Sequence, residues 1–519
     1  MYLQATLEPL VEVLRTGSPE AQEAAAGAIA NLTLGHDDNQ LVVASAGAVE
    51  PLLRMLETGS SSIKEVSAAA LQKLASVSRE SKVAMLKALP LMLALVEDPL
   101  STDFTMERML GAISSMLGDE LVVEAAVDAG AIRTMIGLLH RGSQKCKETA
   151  ARCLAAIASV NEGFEASVGG GGATIPLVRM LESHHPEGKE AAAGALCAMS
   201  RTCSNNKSAI GKTKAIEVLI AIMEEVQGSQ DPDALRLQVA VASTLANLAL
   251  GHAENASNIA KKGAMMPLVA LLEVGRPDQL EAVMQALVSM TAATQGALGT
   301  KLAKDLVELG AAKHLTRLLA QEATETHRMT QAAACLVQNL TVECQANVGI
   351  LLGAGVVPLL LKHVAQDDPD VRETAAGALS NMSVESAEVV EAVATQPGAY
   401  LTLIKAVEDG TPLGRANAAG IILNMAYAST ARSIELKDAG AVVALVGLLQ
   451  DGDVHGKATA AGALQNFAFE REQNLMVVAE AIGLKMTAPY IMVVERLDVL
   501  KHSMCAVSSD SQEDSMDSD

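Results

Sequence analysis

The sequence of 519 residues contains no Trp and only four Tyr and four Phe, although half of its residues are hydrophobic. Aromatic and β-branched side chains are the ones that pack well on the faces of β-sheets. A core built from this composition must consist of Ala, Leu, Val, Ile and Met. Such a core suits helices that approach one another through small side chains, and it argues against a β-sheet protein.

Positive charge is also scarce, because 39 Lys and Arg stand against 61 Asp and Glu, a formal net charge of −22. Nucleic-acid binding needs a basic surface and usually stacking aromatic side chains, so we expect no nucleic-acid partner. The negative charge favours solubility and, if it lines a groove, a basic partner.

Cysteine pairs are missing. The seven cysteines include no Cys-x-x-Cys pair and no metal-site spacing, so no metal is predicted. Cys146 and Cys153 share one predicted helix two turns apart, too far to form a disulfide. Reduced thiols are typical of the cytosol or the nucleus.

Signals for secretion or membrane attachment are lacking too. Met1-Tyr-Leu-Gln leads straight into a repeat without a signal peptide, and position 2 is not the Gly that myristoylation requires. The longest uncharged run, residues 344–361, has roughly transmembrane length but contains Gln345, Asn347 and Pro358. It predicts two short buried helices and no membrane insertion.

Motifs for catalysis do not occur. The chain has no His-Glu-x-x-His, no Gly-x-Ser-x-Gly and no phosphate-binding loop. The glycine run at 169–172 lacks the Lys-Ser/Thr and the preceding strand of such a loop, so we expect a flexible turn there. The sequence predicts a protein that is not an enzyme, with no catalytic residues and no cofactor.

What the sequence does have is a repeat. Residues 373–382 read Glu-Thr-Ala-Ala-Gly-Ala-Leu-Ser-Asn-Met, and the position of Asn381 serves as an anchor that numbers repeats 1 to 11 in chain order. The anchors are Asn31, Lys73, Ser115, Ala156, Ala198, Asn247, Ser289, Asn339, Asn381, Asn424 and Asn466. Eight of the ten intervals are 41 to 43 residues and the other two are 49 and 50, which indicates a repeat architecture.

Each repeat has the pattern of three helices. In repeat 2 the pattern predicts helices over about residues 41–46, 51–56 and 63–77. A Gly recurs 26 residues before the anchor, at Gly47, Gly130, Gly263, Gly355 and Gly440. A Pro recurs 22 or 23 residues before the anchor, at Pro9, Pro51, Pro176, Pro267 and Pro358. The excess of the long intervals falls at 227–233, 294–301 and around 321–328, where we expect surface loops.

This three-helix unit, with its Gly-Ala-[Ile/Val]-x-Pro-Leu and Ala-Ala-x-Ala-Leu-x-Asn-Leu motifs, resembles the armadillo repeat over residues 1 to about 470. The resemblance implies an all-α fold, a right-handed α-α superhelix of about eleven three-helix repeats whose third helices line a concave groove. Apolar helices over 474–507 are expected to cap it, giving one solenoid domain, residues 1–507. The acidic tail, residues 508–519, is expected to be disordered.

The anchor asparagines are the candidate binding residues. An amide has both a donor and an acceptor, so it can hold one peptide unit of an extended chain as a strand does. The residue four positions earlier lies on nearly the same face and is small, which would leave the amide open to a guest backbone. Those small residues are Gly27, Ala69, Gly111, Gly194, Ser243, Gly377, Gly420 and Gly462.

In importin-α and β-catenin, groove asparagines bind extended ligands, and the resemblance implies the same use here. The candidates are Asn31, Asn247 and an uninterrupted amide ladder, Asn339, Asn381, Asn424 and Asn466. The alternative is that each amide satisfies backbone groups of its own or the next repeat.

A glutamate recurs eight residues before the anchor in seven repeats, at Glu23, Glu65, Glu107, Glu148, Glu190, Glu281 and Glu373. We interpret these residues as an acidic rail that would flank the groove and attract Lys/Arg-rich segments. The alternative is that each carboxylate complements the dipole of its helix.

The predicted function is a non-catalytic, monomeric adaptor or scaffold, in the cytoplasm and also the nucleus, that holds extended segments of partner proteins. The resemblance offers two alternatives: the substrate-recognition part of a ubiquitin ligase, since armadillo arrays often follow a U-box, or a nuclear-transport adaptor. Importin-α carries Trp four residues before its asparagines to clamp lysine stems, and this chain has no Trp. The groove of β-catenin is basic, whereas this chain is acidic.

Overall fold

Every element that the structure describes is helical. The computed structural model describes residues 2–34, 36–75, 85–294, 296–321, 327–468 and 477–478, and within these ranges it contains helices and turns but no β-strand. Each anchor lies in a helix that closes its repeat. The prediction of an all-helical repeat solenoid is confirmed, while the handedness of the superhelix and the number of repeats stay predictions.

The helices fall into three sets by their place in the repeat. The first helices are Asp37–Ser45, Glu120–Asp128, Glu162–Gly170, Ser204–Gly211, Ala253–Lys261, Gly296–Glu308, Gln345–Gly353, Ala387–Ala394 and Thr430–Asp438. The second helices are Tyr2–Thr16, Val49–Thr58, Leu89–Glu97, Ala131–Arg141, Thr174–Leu181, Ala215–Glu225, Met265–Val274, Ala311–Leu319, Val356–Val364, Ala399–Asp409 and Ala441–Asp451. The third helices are Pro19–Leu32, Ser61–Leu74, Asp103–Met116, Gln144–Ala158, Pro186–Met199, Pro232–Ala249, Pro277–Ala293, His327–Thr341, Pro369–Ser383, Pro412–Ala428 and Val454–Ala468.

The start of the third helix follows from capping residues. The Oγ of Ser18 accepts a hydrogen bond from the N–H of Ala21 at 3.3 Å. In repeat 9 the carboxylate of Asp368 accepts from the N–H groups of Asp370 and Val371 at 3.0 and 3.1 Å. These side chains satisfy N–H groups that have no partner within the helix.

The turn between the first and second helices depends on a glycine in the left-handed conformation. The five glycines found 26 residues before an anchor have φ angles from 79° to 101°. Only Gly adopts this region without steric strain, because it has no Cβ. The spacing of these glycines in the sequence therefore has a conformational cause.

The chain forms two compact units, residues 1–267 and 268–519. In the first unit the third helices of repeats 1 to 6 contact one another in chain order, and in the second unit those of repeats 7 to 11 do the same. Small side chains make this close packing feasible. Fully buried alanines recur on these helices, such as Ala193, Ala376 and Ala461.

Several detailed expectations can be compared with the structure. In repeat 2 the helices are Asp37–Ser45, Val49–Thr58 and Ser61–Leu74, close to the predicted ranges. The excess residues at 227–233 and 294–301 were expected in loops, but part of them lengthens the helices Pro232–Ala249 and Gly296–Glu308. The expected cap at 474–507 (apart from residues 477–478), the tail at 508–519 and residues 322–326 lie outside the described residues.

The uncharged run at 344–361 forms two short helices, as predicted. They are Gln345–Gly353 and Val356–Val364, and they meet at an angle of 88°. Over the described ranges no single helix is long and apolar enough to cross a membrane, and this bent pair reaches that length and hydropathy only when its two helices are taken together.

The left-handed turn in repeat 9 can be tested with a matched pair of glycines. Gly355 has a φ of 80° and open space around its Cβ position, so Gly355→Ala should destabilise the protein by roughly 1–2 kcal/mol through backbone strain alone. Gly349, exposed within the helix Gln345–Gly353, also has open space there, so Gly349→Ala should stabilise by about 0.5–1 kcal/mol. Urea unfolding midpoints that shift in the same direction would contradict this account.

Candidate functional site

The anchor amides of repeats 6, 8, 9, 10 and 11 make the same contact. In each, the Nδ2–H group donates to the backbone oxygen one residue before the anchor of the preceding repeat. The donor–acceptor pairs are Asn247 to Cys197 at 3.0 Å, Asn339 to Val288 at 3.5 Å, and Asn381 to Gln338, Asn424 to Ser380 and Asn466 to Leu423, each at 3.3 Å. One N–H of each amide thus satisfies a backbone group of the solenoid, as the alternative expected, but the group belongs to the preceding repeat and not to the amide's own or the next one.

Hydroxyl groups reinforce this contact in two repeats. Asn339 Nδ2 also donates to the Oγ1 of Thr291 at 3.0 Å, and Asn424 Nδ2 to the Oγ of Ser383 at 2.9 Å. Both hydroxyls lie two residues after the preceding anchor. For Asn339 the hydroxyl is the better partner, because 3.5 Å is long for an N–H···O bond.

The contact fixes which end of the amide faces outward. A backbone carbonyl can only accept a hydrogen bond, so the nitrogen must face the protein and Oδ1 must face away. Asn339, Asn381 and Asn424 are half-buried, and their Oδ1 atoms accept no hydrogen bond from the described part of the protein. Three consecutive repeats therefore present an unused amide oxygen at the surface.

The remaining candidates sit differently. Asn466 is half-buried at the last anchor, and Asn247 is half-buried in repeat 6 of the first unit. Asn247 Nδ2 also lies 3.3 Å from Cys197 Sγ. Asn31 is exposed, and its side chain makes no hydrogen bond within the described residues. The structure thus brings the candidates of repeats 8 to 11 together in one unit.

The expectation about the small residue four positions before the anchor was wrong in part. A Cβ added to Gly377 would lie 2.8 Å from the Nε2 of Gln338, and one added to Gly420 would lie 2.6 Å from the Oγ of Ser380. The space belongs to the residue before the preceding anchor, not to a guest backbone. Gly27 and Gly194 do have open space around this position.

Within the described residues, all seven glutamates of the expected acidic rail have partners. Four of them accept a hydrogen bond from a hydroxyl of the following repeat: Glu23 from Ser62, Glu65 from Thr102, Glu107 from Ser143 and Glu373 from Thr411. Two form ion pairs with an arginine of the following repeat: Glu190 with Arg236 and Glu281 with Arg328. The seventh, Glu148, accepts a hydrogen bond from Gln144 of its own helix. Glu148 is buried, with 4% of its surface exposed. Most of these carboxylates join neighbouring repeats, so they do not form a free rail.

Sequence reasoning missed a second set of asparagines, eight residues after the anchor. Asn39, Asn206, Asn255 and Asn347 each donate from Nδ2 to the carbonyl one residue after the anchor, at 2.7 to 3.1 Å. They cap the C-terminal end of the third helix. Their fixed distance from the anchor was a signal that could have found them.

One of these asparagines explains part of the glycine run at 169–172. A Cβ on Gly169 would lie 1.9 Å from the Oδ1 of Asn206, so a side chain there is excluded. Gly172 has a φ of 91°. The run is therefore a helix end and a left-handed turn that the packing requires.

A buried carboxylate was also missed. Glu165, with 0% of its surface exposed, accepts hydrogen bonds from the Thr202 N–H and Oγ1–H and from the Cys203 N–H, the last two at 2.6 and 2.7 Å. These donors precede the helix Ser204–Gly211, whose N-terminus attracts negative charge. Glu165 thus holds repeats 5 and 6 together.

The cysteines fit a reduced state. All six in the described residues are free, and Cys146 and Cys153 lie on one helix, Gln144–Ala158, as predicted. Burial raises the pKa of Cys153 to about 12 and the pKa of Cys197 to about 11. Both thiols are therefore protonated at neutral pH. Across the same residues, no three His, Cys, Asp or Glu side chains come together to hold a metal ion.

A surface cavity of about 410 Å³ adjoins the first residue of the amide ladder. Its lining includes Thr291, Thr294, Asn339, Val342 and Glu343. An amide, an apolar side chain and a carboxylate are therefore placed side by side at the end of the third helix of repeat 8.

Comparison with known proteins gives similarities to repeat proteins. The family model of the plant U-box protein ARM repeat region matches residues 4–216, and that of the armadillo/beta-catenin-like repeat matches residues 344–384. A crystal structure of an engineered protein from the Northeast Structural Genomics Consortium is similar over 89% of this chain and 98% of its own, at 25% sequence identity and a TM-score of 0.62. No curated protein matches.

The hydrogen bond between Glu373 and Thr411 can be tested with a double-mutant cycle. If it joins repeats 9 and 10, Glu373→Ala and Thr411→Val should each destabilise the protein, with a coupling free energy of about 1 kcal/mol. Thr411 is also the N-cap of its helix, so Thr411→Ser, which keeps the hydroxyl, serves as the control. Additive shifts of the urea midpoint would show that the two side chains act independently.

Proposed function

Because the chain is an armadillo-repeat α-solenoid, we propose that it is a non-catalytic adaptor that binds extended segments of partner proteins through its third-helix asparagines. Armadillo repeats generally mediate protein–protein interaction. The observation that carries the proposal is the unused Oδ1 of Asn339, Asn381 and Asn424 in three consecutive repeats.

The free amide oxygens determine which groups of a guest are bound. An oxygen that faces outward accepts from a guest N–H, so the natural partner is the backbone of an extended chain. Packed helices lie about 9–10 Å apart and an extended chain rises about 3.1–3.3 Å per residue. One amide therefore meets roughly every third residue of the guest.

Binding of this type depends little on guest sequence, since every residue except Pro carries a backbone N–H. Asn466 extends the ladder to a fourth repeat, while Asn31 and Asn247 stand alone among repeats with other anchors. We place the main contact surface on repeats 8 to 11, in a monomer that acts in the cytoplasm or the nucleus.

A second candidate function is the substrate-recognition part of a ubiquitin ligase. The observation that favours it is the match of residues 4–216 to the plant U-box protein ARM repeat region. In that case the same surface would hold the substrate, and ubiquitin transfer would depend on a domain that recruits the conjugating enzyme. No comparable observation favours a nuclear-transport adaptor.

The adaptor function can be tested with a random library of extended 12-residue peptides displayed on phage. Peptides selected by the wild type should lose about 5- to 30-fold in affinity for Asn381→Ala/Asn424→Ala, because two hydrogen bonds of about 0.5–1 kcal/mol each are removed. Asn205→Ala, at an exposed asparagine of a first helix, is the control and should bind normally. Equal affinities of all three proteins would refute the role of the ladder.

The ubiquitin-ligase candidate needs a separate assay. The natural protein, purified with its bound partners, should form polyubiquitin when supplied with activating enzyme, conjugating enzyme, ubiquitin and ATP. Absence of ubiquitin transfer across a panel of conjugating enzymes would contradict this second candidate and leave the adaptor function unaffected.

A further inference from the structure

An exposed apolar residue accompanies the asparagine anchors. Three residues after the anchor, the asparagine repeats that the structure describes at this position carry Leu34, Leu250, Val342, Val384 and Tyr427, all exposed. The repeats with another anchor carry Ser76, Gly118, Ser159, Arg201 and Ala292 at the same place. At these positions a large apolar side chain thus accompanies the amide, and a small or charged residue accompanies the other anchors.

The two residues also share a surface. In repeat 10 both residues lie on the helix Pro412–Ala428, where positions three apart are neighbours. In repeat 8, Val342 follows the last residue of its helix and lines the cavity beside Asn339. A purely structural amide would not need an exposed apolar companion. The co-occurrence is what a surface for a partner requires, since exposed apolar area yields free energy only when something covers it.

Tyr427 is the strongest member of this set. It is one of only four tyrosines in the chain, and 75% of its surface is exposed. Its hydroxyl makes no hydrogen bond within the described residues. Exposed Tyr side chains combine apolar area with a polar end, and they are enriched among the residues that dominate binding energy in interfaces.

Charge restricts the partner. Residues 339–428 include ten Asp or Glu and four Lys or Arg. Of the basic residues, Arg415 pairs with Asp451 and Arg372 donates to the backbone of Asp409. Glu343 and Glu385 are exposed directly beside Val342 and Val384. A guest that covers the apolar row therefore gains from positive charge.

We propose that Val342, Val384 and Tyr427, which we name the apolar row, select a basic, extended segment of a partner protein with an apolar side chain at every third residue. The inference rests on the proposed function, because the ladder must hold the backbone while the apolar row reads the side chains. The spacing follows from the helix separation of about 9–10 Å, because an extended polyproline II segment rises about 3.1 Å per residue and returns every third side chain to the same side.

The test uses three fluorescein-labelled peptides and measures their binding by fluorescence anisotropy. The first is (Leu-Lys-Ser)4, the second has the same composition with Leu at irregular spacing, and the third is (Leu-Glu-Ser)4. The wild type should bind the first at least tenfold more tightly than either other peptide. Equal binding of the first two would overturn the spacing, and equal binding of the first and third would overturn the charge preference.

Protein variants then separate this inference from the proposed function. Val342→Ser/Val384→Ser/Tyr427→Ser should lose at least tenfold in affinity for (Leu-Lys-Ser)4. The control Leu401→Ser/Val443→Ser removes apolar residues that are 67% and 70% exposed, against 48% to 75% for the apolar row, from second helices of the same unit, and it should bind as the wild type does. Circular dichroism at the assay temperature confirms that each variant is folded.

The outcomes are distinct. If Asn381→Ala/Asn424→Ala weakens binding but the apolar-row variant does not, this inference fails and the adaptor function stands. If neither variant weakens binding, both fail. If deletion of residues 508–519 raises the affinity of the wild type tenfold, the acidic end of the chain itself occupies the surface, and the inference of a basic partner is overturned.

Discussion

One hydrogen bond recurs between the repeats, from the Nδ2 of an anchor asparagine to a backbone oxygen of the preceding third helix. Gln338 and Ser380, which supply that oxygen to Asn381 and Asn424, lie in the last turn of their helices. Carbonyl groups there lack a backbone N–H partner within the helix, and these two also accept from the hydroxyls of Thr341 and Ser383. The amide satisfies them, joins two repeats, and is held with its oxygen toward solvent.

Other polar side chains at fixed positions in the repeat also bind the ends of the third helices. Asparagines eight residues after the anchor cap the end of the third helix, and glutamates eight residues before it bind the start of the next one. A solenoid has no long-range core, so each unit is stabilised only by its own packing and by its neighbours. Polar side chains at fixed positions thus help to set how one repeat meets the next, and a free amide oxygen remains as a consequence.

Repetition explains how much the sequence could predict. A period of about 42 residues, left-handed glycines such as Gly355 and an Ala-rich helix define the three-helix unit from local chemistry alone. The partners of Glu373 and the filling of the space at Gly377 could not be predicted, because each depends on the separation of two helices that lie about 40 residues apart in sequence. The orientation of the Asn381 amide could not be predicted either, because only the position of the Gln338 backbone oxygen decides which end of the amide is free. Side chains at equivalent positions of the repeats can therefore bind either a neighbouring repeat or a guest peptide.

The most direct test of the central claim is a crystal structure of the protein with a bound peptide from the 12-residue library. The account predicts that backbone N–H groups of the peptide lie about 2.7–3.2 Å from the Oδ1 atoms of Asn339, Asn381 and Asn424, while each Nδ2 keeps its bond to the preceding repeat. A peptide bound away from these residues, or amides that have turned to donate to the peptide, would contradict it.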